Sequence, residues 1–181
     1  GLGVEPGMVI VKTTNDYPWR VYHKSRGPTK FLQLNYANEE QDAVTANMWN
    51  STAPTGSVFT LGDHITVNSI GLDYVAYVFA HDDSDESMIK CGSYTGNSDA
   101  DGPEIDLGWE PQFILIKATE SSGGDWLMHD SMRGIVDGGV DPSLASNSAN
   151  AETDTGQPSI SLNPSGFKVT STLGQYNLFG D

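Results

Sequence analysis

The stretch "NSDADG" (97–102) sets oxygen-bearing side chains at alternate positions, Asn97, Asp99 and Asp101, and follows them with Gly102. That spacing resembles the first half of a calcium loop, where the backbone wraps the ion and glycine accepts the sharp turn. Glu104 and Asp106 follow closely enough to add oxygens, so these five residues are the candidate calcium ligands. An EF-hand would place its bidentate glutamate at position 108, which is Gly108, so the loop is not an EF-hand. The competing reading is a plain acidic turn, since Asp and Gly accept turn geometry for their own reasons. "HDDSDES" (81–87) reads as a solvated hinge of the same kind.

Trp49 and Trp109 raise a different chemistry. If exposed, such rings stack on the apolar faces of sugars, and these two form the candidate sugar platform. Trp19 and Trp126 each open an apolar strand and are expected in core packing. For nucleophilic catalysis there is no G-x-S-x-G elbow, and Cys91 has no motif around it. There is no P-loop and no G-x-G-x-x-G, and His23, His64, His81 and His129 fit neither HExxH nor HxH. A single cysteine excludes an internal disulfide framework and a multi-cysteine zinc site. With 24 acidic residues, carboxylate pairs arise by number alone and do not mark a glycoside hydrolase. Asn50-Ser51-Thr52 matches the glycosylation pattern, with meaning only in a secreted eukaryotic chain. No enzyme is expected, and calcium is the one cofactor the residues raise.

Composition narrows the class further. Net charge is −15, which argues against a phosphate-tracking surface, because that needs clustered Lys and Arg. Hydrophobic residues make up 37% and charged ones 18%, the balance of a soluble globular protein. No apolar run approaches the roughly 20 residues of a membrane helix, and no signal peptide is visible.

The elements that must hold these residues are strands. "MVIVK" (8–12), "WRVYH" (19–23), "FLQLN" (31–35), "SVFTL" (57–61) and "YVAYVFA" (74–80) are short and rich in β-branched or aromatic residues. "FILIK" (113–117), "DWLMH" (125–129), "SISL" (159–162) and "FKVTS" (167–171) repeat the signal. Only "NEEQDAVTANMW" (38–49) has the makings of a helical turn or two. Closely spaced Gly, Pro, Asn and Asp turns give the rhythm of a sandwich or barrel.

The chain also repeats itself. Gly3-Val4-Glu5-Pro6 matches Gly108-Trp109-Glu110-Pro111, and Met8 to Lys12 matches Phe113 to Lys117, both at an offset of 105. Trp19 pairs with Trp126, "LQLNYANEE" (32–40) with "LASNSANAE" (144–152) at 112, "SVFTL" with "SGFKV" at 108, and "YVAYVFA" with "YNLFG" (176–180). Ordered blocks with insertions confined to loops mark a tandem duplication. The expected fold is all-β: two antiparallel, jelly-roll-like β-sandwich modules, residues 1–97 and 98–181, with the strand at 88–97 assignable to either.

With the repeat laid out, "MVIVK", "WRVYHKS", "LQLN", "WNSTAPTGSVFTLG", "YVAYVFA" and "CGSYTGNSDADGP" together resemble a repeat of bacteriophage tail-fibre and other virion proteins, often marine. The similarity spans nearly the whole chain. The resemblance implies serial β-sandwich modules on a virion surface, and it carries over no catalytic residue. The family commonly closes on a longer strand where this chain has "YNLFGD", which implies an incomplete second module. The expected function is a non-enzymatic structural part of the particle, in a tail fibre, spike or capsid decoration. Its expected partners are further copies of itself, other virion proteins and a host-surface glycan, with neither nucleic acid nor membrane insertion. The alternative is a carbohydrate-binding or adhesion module of a bacterial extracellular or filament-forming protein.

Overall fold

The computed structural model describes residues 2–84, 88–121, 123–135, 139–154 and 156–180. The chain is nearly all β and divides into two compact units, Gly1–Tyr36 with Glu40–Ser93, and Ala37–Glu39 with Tyr94–Asp181.

In the first unit, strands β1 (Pro6–Thr13), β2 (Arg20–His23), β3 (Lys30–Gln33), β4 (Gln41–Asp42) and β5 (Tyr74–Ala80) form one antiparallel sheet in the order β4-β3-β2-β1-β5. The unbroken apolar run of β1 suits an inner strand, and β1 lies between β2 and β5. Val9, Val11, Tyr22 and Phe31 of this sheet pack on Ala43, Met48, Trp49 and Val67. Those partners lie in a segment built of turns and extended pieces. Trp49 meets Tyr22 edge-on at 6.0 Å and donates its indole N–H to the Lys30 carbonyl at 3.0 Å. Gly62 lets this segment close, because a Cβ there would sit 1.7 Å from the Asn47 carbonyl oxygen. Two expectations fail here. "SVFTL" forms no strand, its backbone being held in a turn by Val58 N–H on Thr55 Oγ1 (3.2 Å) and Thr55 N–H on the Val58 carbonyl (2.8 Å). Residues 38–49 form β4 and turns rather than a helical turn, with Asp42 Oδ1 accepting the Val44 N–H at 2.7 Å.

In the second unit, β6 (Glu104–Asp106), β10 (Ile160–Asn163) and β11 (Gly166–Val169) make a sheet in the order β10-β11-β6. A further sheet, β7-β8-β9, contains β7 (Phe113–Ile116), β8 (Leu127–Asp130) and β9 (Leu144–Ala145). One core draws on both, with Ile114, Ile116 and Leu127 meeting Ile160, Phe167, Val169 and Tyr176. "YNLFG", the shorter repeat partner of "YVAYVFA", begins inside a one-turn helix, α1 (Gly174–Asn177), whose buried residues are Tyr176 and Asn177. No strand forms over 88–97, where Gly96 makes a single bridge to Phe179.

The units share hydrogen-bonding detail at the repeated blocks. Val9 pairs with Tyr22 and Val11 with Arg20, while Ile114 pairs with His129 and Ile116 with Leu127. Arg20 pairs with Gln33 and Val21 with Leu32, while Leu127 pairs with Ala145 and Met128 with Leu144. The Trp19 N–H donates to Asn35 Oδ1 at 3.0 Å, and the Trp126 N–H to Asn147 Oδ1 at 2.8 Å. Phe31 opposes Gln41 as Ser143 opposes Thr153. Lys12 and Lys117 each turn back to bond carbonyls of the following turn.

Candidate functional site

The side chains of the acidic loop bond both its own backbone and neighbouring segments. Asn97 Oδ1 accepts the Asp99 N–H at 3.0 Å, and Asp99 Oδ1 accepts the Asp101 N–H at 2.9 Å. The Lys168 ammonium binds the Asp101 carboxylate; this bond holds the Asp101 carboxyl below its usual range and raises the Lys168 amine. Glu104 Oε1 accepts from Asn163 Nδ2 at 3.1 Å, and Asp106 Oδ1 accepts the Gly108 N–H at 3.0 Å. Among the described residues no group of three or more His, Cys, Asp or Glu side chains converges as a metal cage would require. The residue that organises the loop is Asn177, which the sequence did not signal. Its Nδ2 donates to the carbonyls of Asp99 (2.7 Å) and Ser171 (2.9 Å), and its Oδ1 accepts the Asn97 N–H at 2.8 Å. Gly102 fits this closure, since a Cβ there would lie 2.3 Å from the Val169 carbonyl oxygen. The last residues of "HDDSDES", 85–87, lie outside the described residues.

The expected sugar platform is corrected at Trp49, which is only 2% exposed and belongs to the first unit's core, so its face is not open to a ligand. Trp109 is half-buried, its indole N–H buried without a hydrogen-bond partner among the described residues. The core-packing expectation holds for Trp126, which is buried, and only in part for Trp19, which is half-buried and stacks on Tyr77 with centroids 6.1 Å apart and planes 22° apart, Lys12 Nζ lying 6.0 Å from its ring centroid. Sequence pattern gave both tryptophans one role because it sees strand starts and not which face a strand buries. The shallow dip between Val9, Tyr22, Trp49, Pro54 and Phe59 encloses about 0 Å³ of space for even a water-sized group, against the roughly 300–1,000 Å³ of small-molecule sites.

A buried polar group in the second unit also escaped the sequence. His129 is fully buried; its Nδ1 lies 3.1 Å from the Pro142 carbonyl and its Nε2 2.9 Å from the Tyr176 hydroxyl. A carbonyl only accepts, so Nδ1 carries the proton and Nε2 accepts from the phenol. Burial pushes the His129 pKa down and the Tyr176 phenol up. Asp141, also fully buried, accepts the N–H groups of Ser159 (2.8 Å) and Ile160 (2.9 Å).

β5 presents an exposed apolar stretch on a regular element. Its seven residues, "YVAYVFA", carry no charge; Val75, Ala76 and Tyr77 are exposed, and its outer edge has no strand beside it among the described residues. An edge of this kind presents unpaired N–H and C=O groups to a partner strand.

Fold and surface therefore define an all-β protein of two compact units, built of antiparallel sheets with an uncharged edge strand. The chain belongs to the family described as a domain of unknown function (DUF7483), whose model matches residues 1–181. No curated protein and no solved structure matches it.

Proposed function

We propose that this chain is a non-enzymatic structural component of a bacteriophage particle, a tail fibre, spike or capsid decoration, built from one β-sandwich module that has been duplicated. The observation that carries the reading is the agreement of hydrogen-bond registers between the two units: β1-β2-β3 and β7-β8-β9 pair residue for residue at the offsets of the sequence repeat. The shared core of two sheets in the second unit supports the sandwich. The resemblance of "WNSTAPTGSVFTLG" and "CGSYTGNSDADGP" to virion repeats supports the setting on a particle surface. Such modules act by copy number, so weak contacts to a host surface add through avidity.

Assembly is between copies of this chain, through the outer edge of β5. Charge favours that partner and place: in a chain of net charge −15, β5 is a seven-residue edge without a charge to repel its own copy. Light scattering and electron microscopy of the purified chain test this reading. A closed or helical homo-oligomer that V75K/Y77K reduces to monomers supports it. A wild-type monomer at concentrations near 1 mM, where weak copy-to-copy contacts still populate, overturns it.

The carbohydrate-binding alternative rests on Trp19 and Tyr77, whose stacked rings beside Lys12 stand where Trp49 does not. Glycan binding that disappears in W19A and Y77A, with oligomer mass unchanged, would favour it.

A further inference from the structure

Independently of that reading, we infer that Arg20 is an anion-binding residue, the unpaired edge of its guanidinium taking the oxygens of a small oxyanion: a carboxylate, sulfate or phosphate group. Arg20 stands on a core-facing row of the first sheet, between Val11 and Gln33. The corresponding row of the second unit is Ile116, Leu127 and Ala145, wholly apolar. The β1-β2-β3 arrangement therefore does not require a cation at this position.

The side chain is nevertheless nine-tenths buried, at 8% exposure. Its plane lies over the Phe31 ring, 4.8 Å from the centroid, and Nε donates to Thr66 Oγ1 at 3.0 Å. That bond is the guanidinium's one hydrogen bond among the described residues, and Nη1 is buried with no partner. No carboxylate forms an ion pair with it among the described residues. Other buried charges in proteins are paired or bind ions, because an unpaired one forfeits its hydration without return. With Nε committed to Thr66, the Nη1 and Nη2 edge remains, and its parallel N–H groups match two oxygens of one oxyanion.

Thr66 is itself held in place: it donates its backbone N–H to His64 Nδ1 at 3.2 Å, so Nδ1 accepts and the neutral ring carries its proton on Nε2. Burial and the Arg20 charge lower the His64 pKa, with the Asp63 carboxylate opposing them.

The test is thermal unfolding of the full chain in sodium sulfate, phosphate or acetate against sodium chloride at matched ionic strength, with R20L and R20K alongside. R20L copies the second unit's Leu127, and R20K keeps the charge but loses the fork. General salt stabilisation acts on all three proteins; the expected signal is a saturable rise in Tm, on the order of 3 °C, in the wild type alone. Saturation by acetate only, or by sulfate and phosphate only, assigns the ligand's head group within the inferred class. Equal anion responses in wild type and R20L, or a chloride response matching the oxyanions, overturns the inference. If R20L does not fold, R20K decides: an anion response undiminished from wild type overturns it, and a weakened one supports it.

Discussion

His129 stands where the first unit has Tyr22, and the exchange leaves a consequence in pH. Burial holds the folded imidazole's pKa below its usual value, and His23 and His64 are lowered for the same principal reason. An unfolded imidazole protonates near about pH 6.5. As pH falls through that value the unfolded chain binds protons that the folded chain refuses, so stability present above it is lost below it. The urea midpoint is expected to drop between about pH 7.5 and about pH 5.5, with a shallower drop in H129Q; a flat profile would refute this. Carboxylates such as Asp42, Asp82 and Asp130, held low chiefly by backbone N–H bonds, contribute a separate loss at lower pH. The tryptophans give a second contrast. W49A empties a core position and should cost about 3–5 kcal/mol, while W19A, on a half-exposed ring, should cost about 1 kcal/mol or less. Chemical denaturation of both variants checks the order.

At the scale of elements, β1, β2, β3, β5, β7, β8, β10 and β11 were legible because their apolar and β-branched runs have strand period and turn punctuation. "SVFTL" has the same composition and no ladder, since strand pairing depends on a neighbour at the right height and local pattern does not supply one. The short α1 carried no local signal: Tyr176 and Asn177 bond partners far along the chain, His129 and the 97–101 loop. Asp141 ties the start of β10 through two buried N–H groups, so D141A should strand both donors and cost about 2–4 kcal/mol, whereas a surface acid such as Asp154 should cost almost nothing. Differential scanning calorimetry distinguishes the two. Of the candidate site, the sequence located the acidic loop but not the bonds its acids make to backbone N–H groups, to Asn163 and to Lys168. A melting scan with and without chelator is therefore expected to show no shift.

For the whole molecule, the open edge of β5 carries the assembly prediction: V75K/Y77K should lower the assembled mass while leaving the far-ultraviolet spectrum unchanged, because both side chains are about half-exposed. Sequence by itself determined the all-β class, the order of the repeated blocks and the absence of familiar catalytic motifs, since these follow from periodicity and spacing along one line. Tertiary structure decided which tryptophan is core, which acids already have partners, and that Arg20 is buried without a carboxylate partner among the described residues. Those properties depend on groups from distant segments meeting in three dimensions. Burial and partner supply are set by that meeting, and neighbouring residues do not encode it.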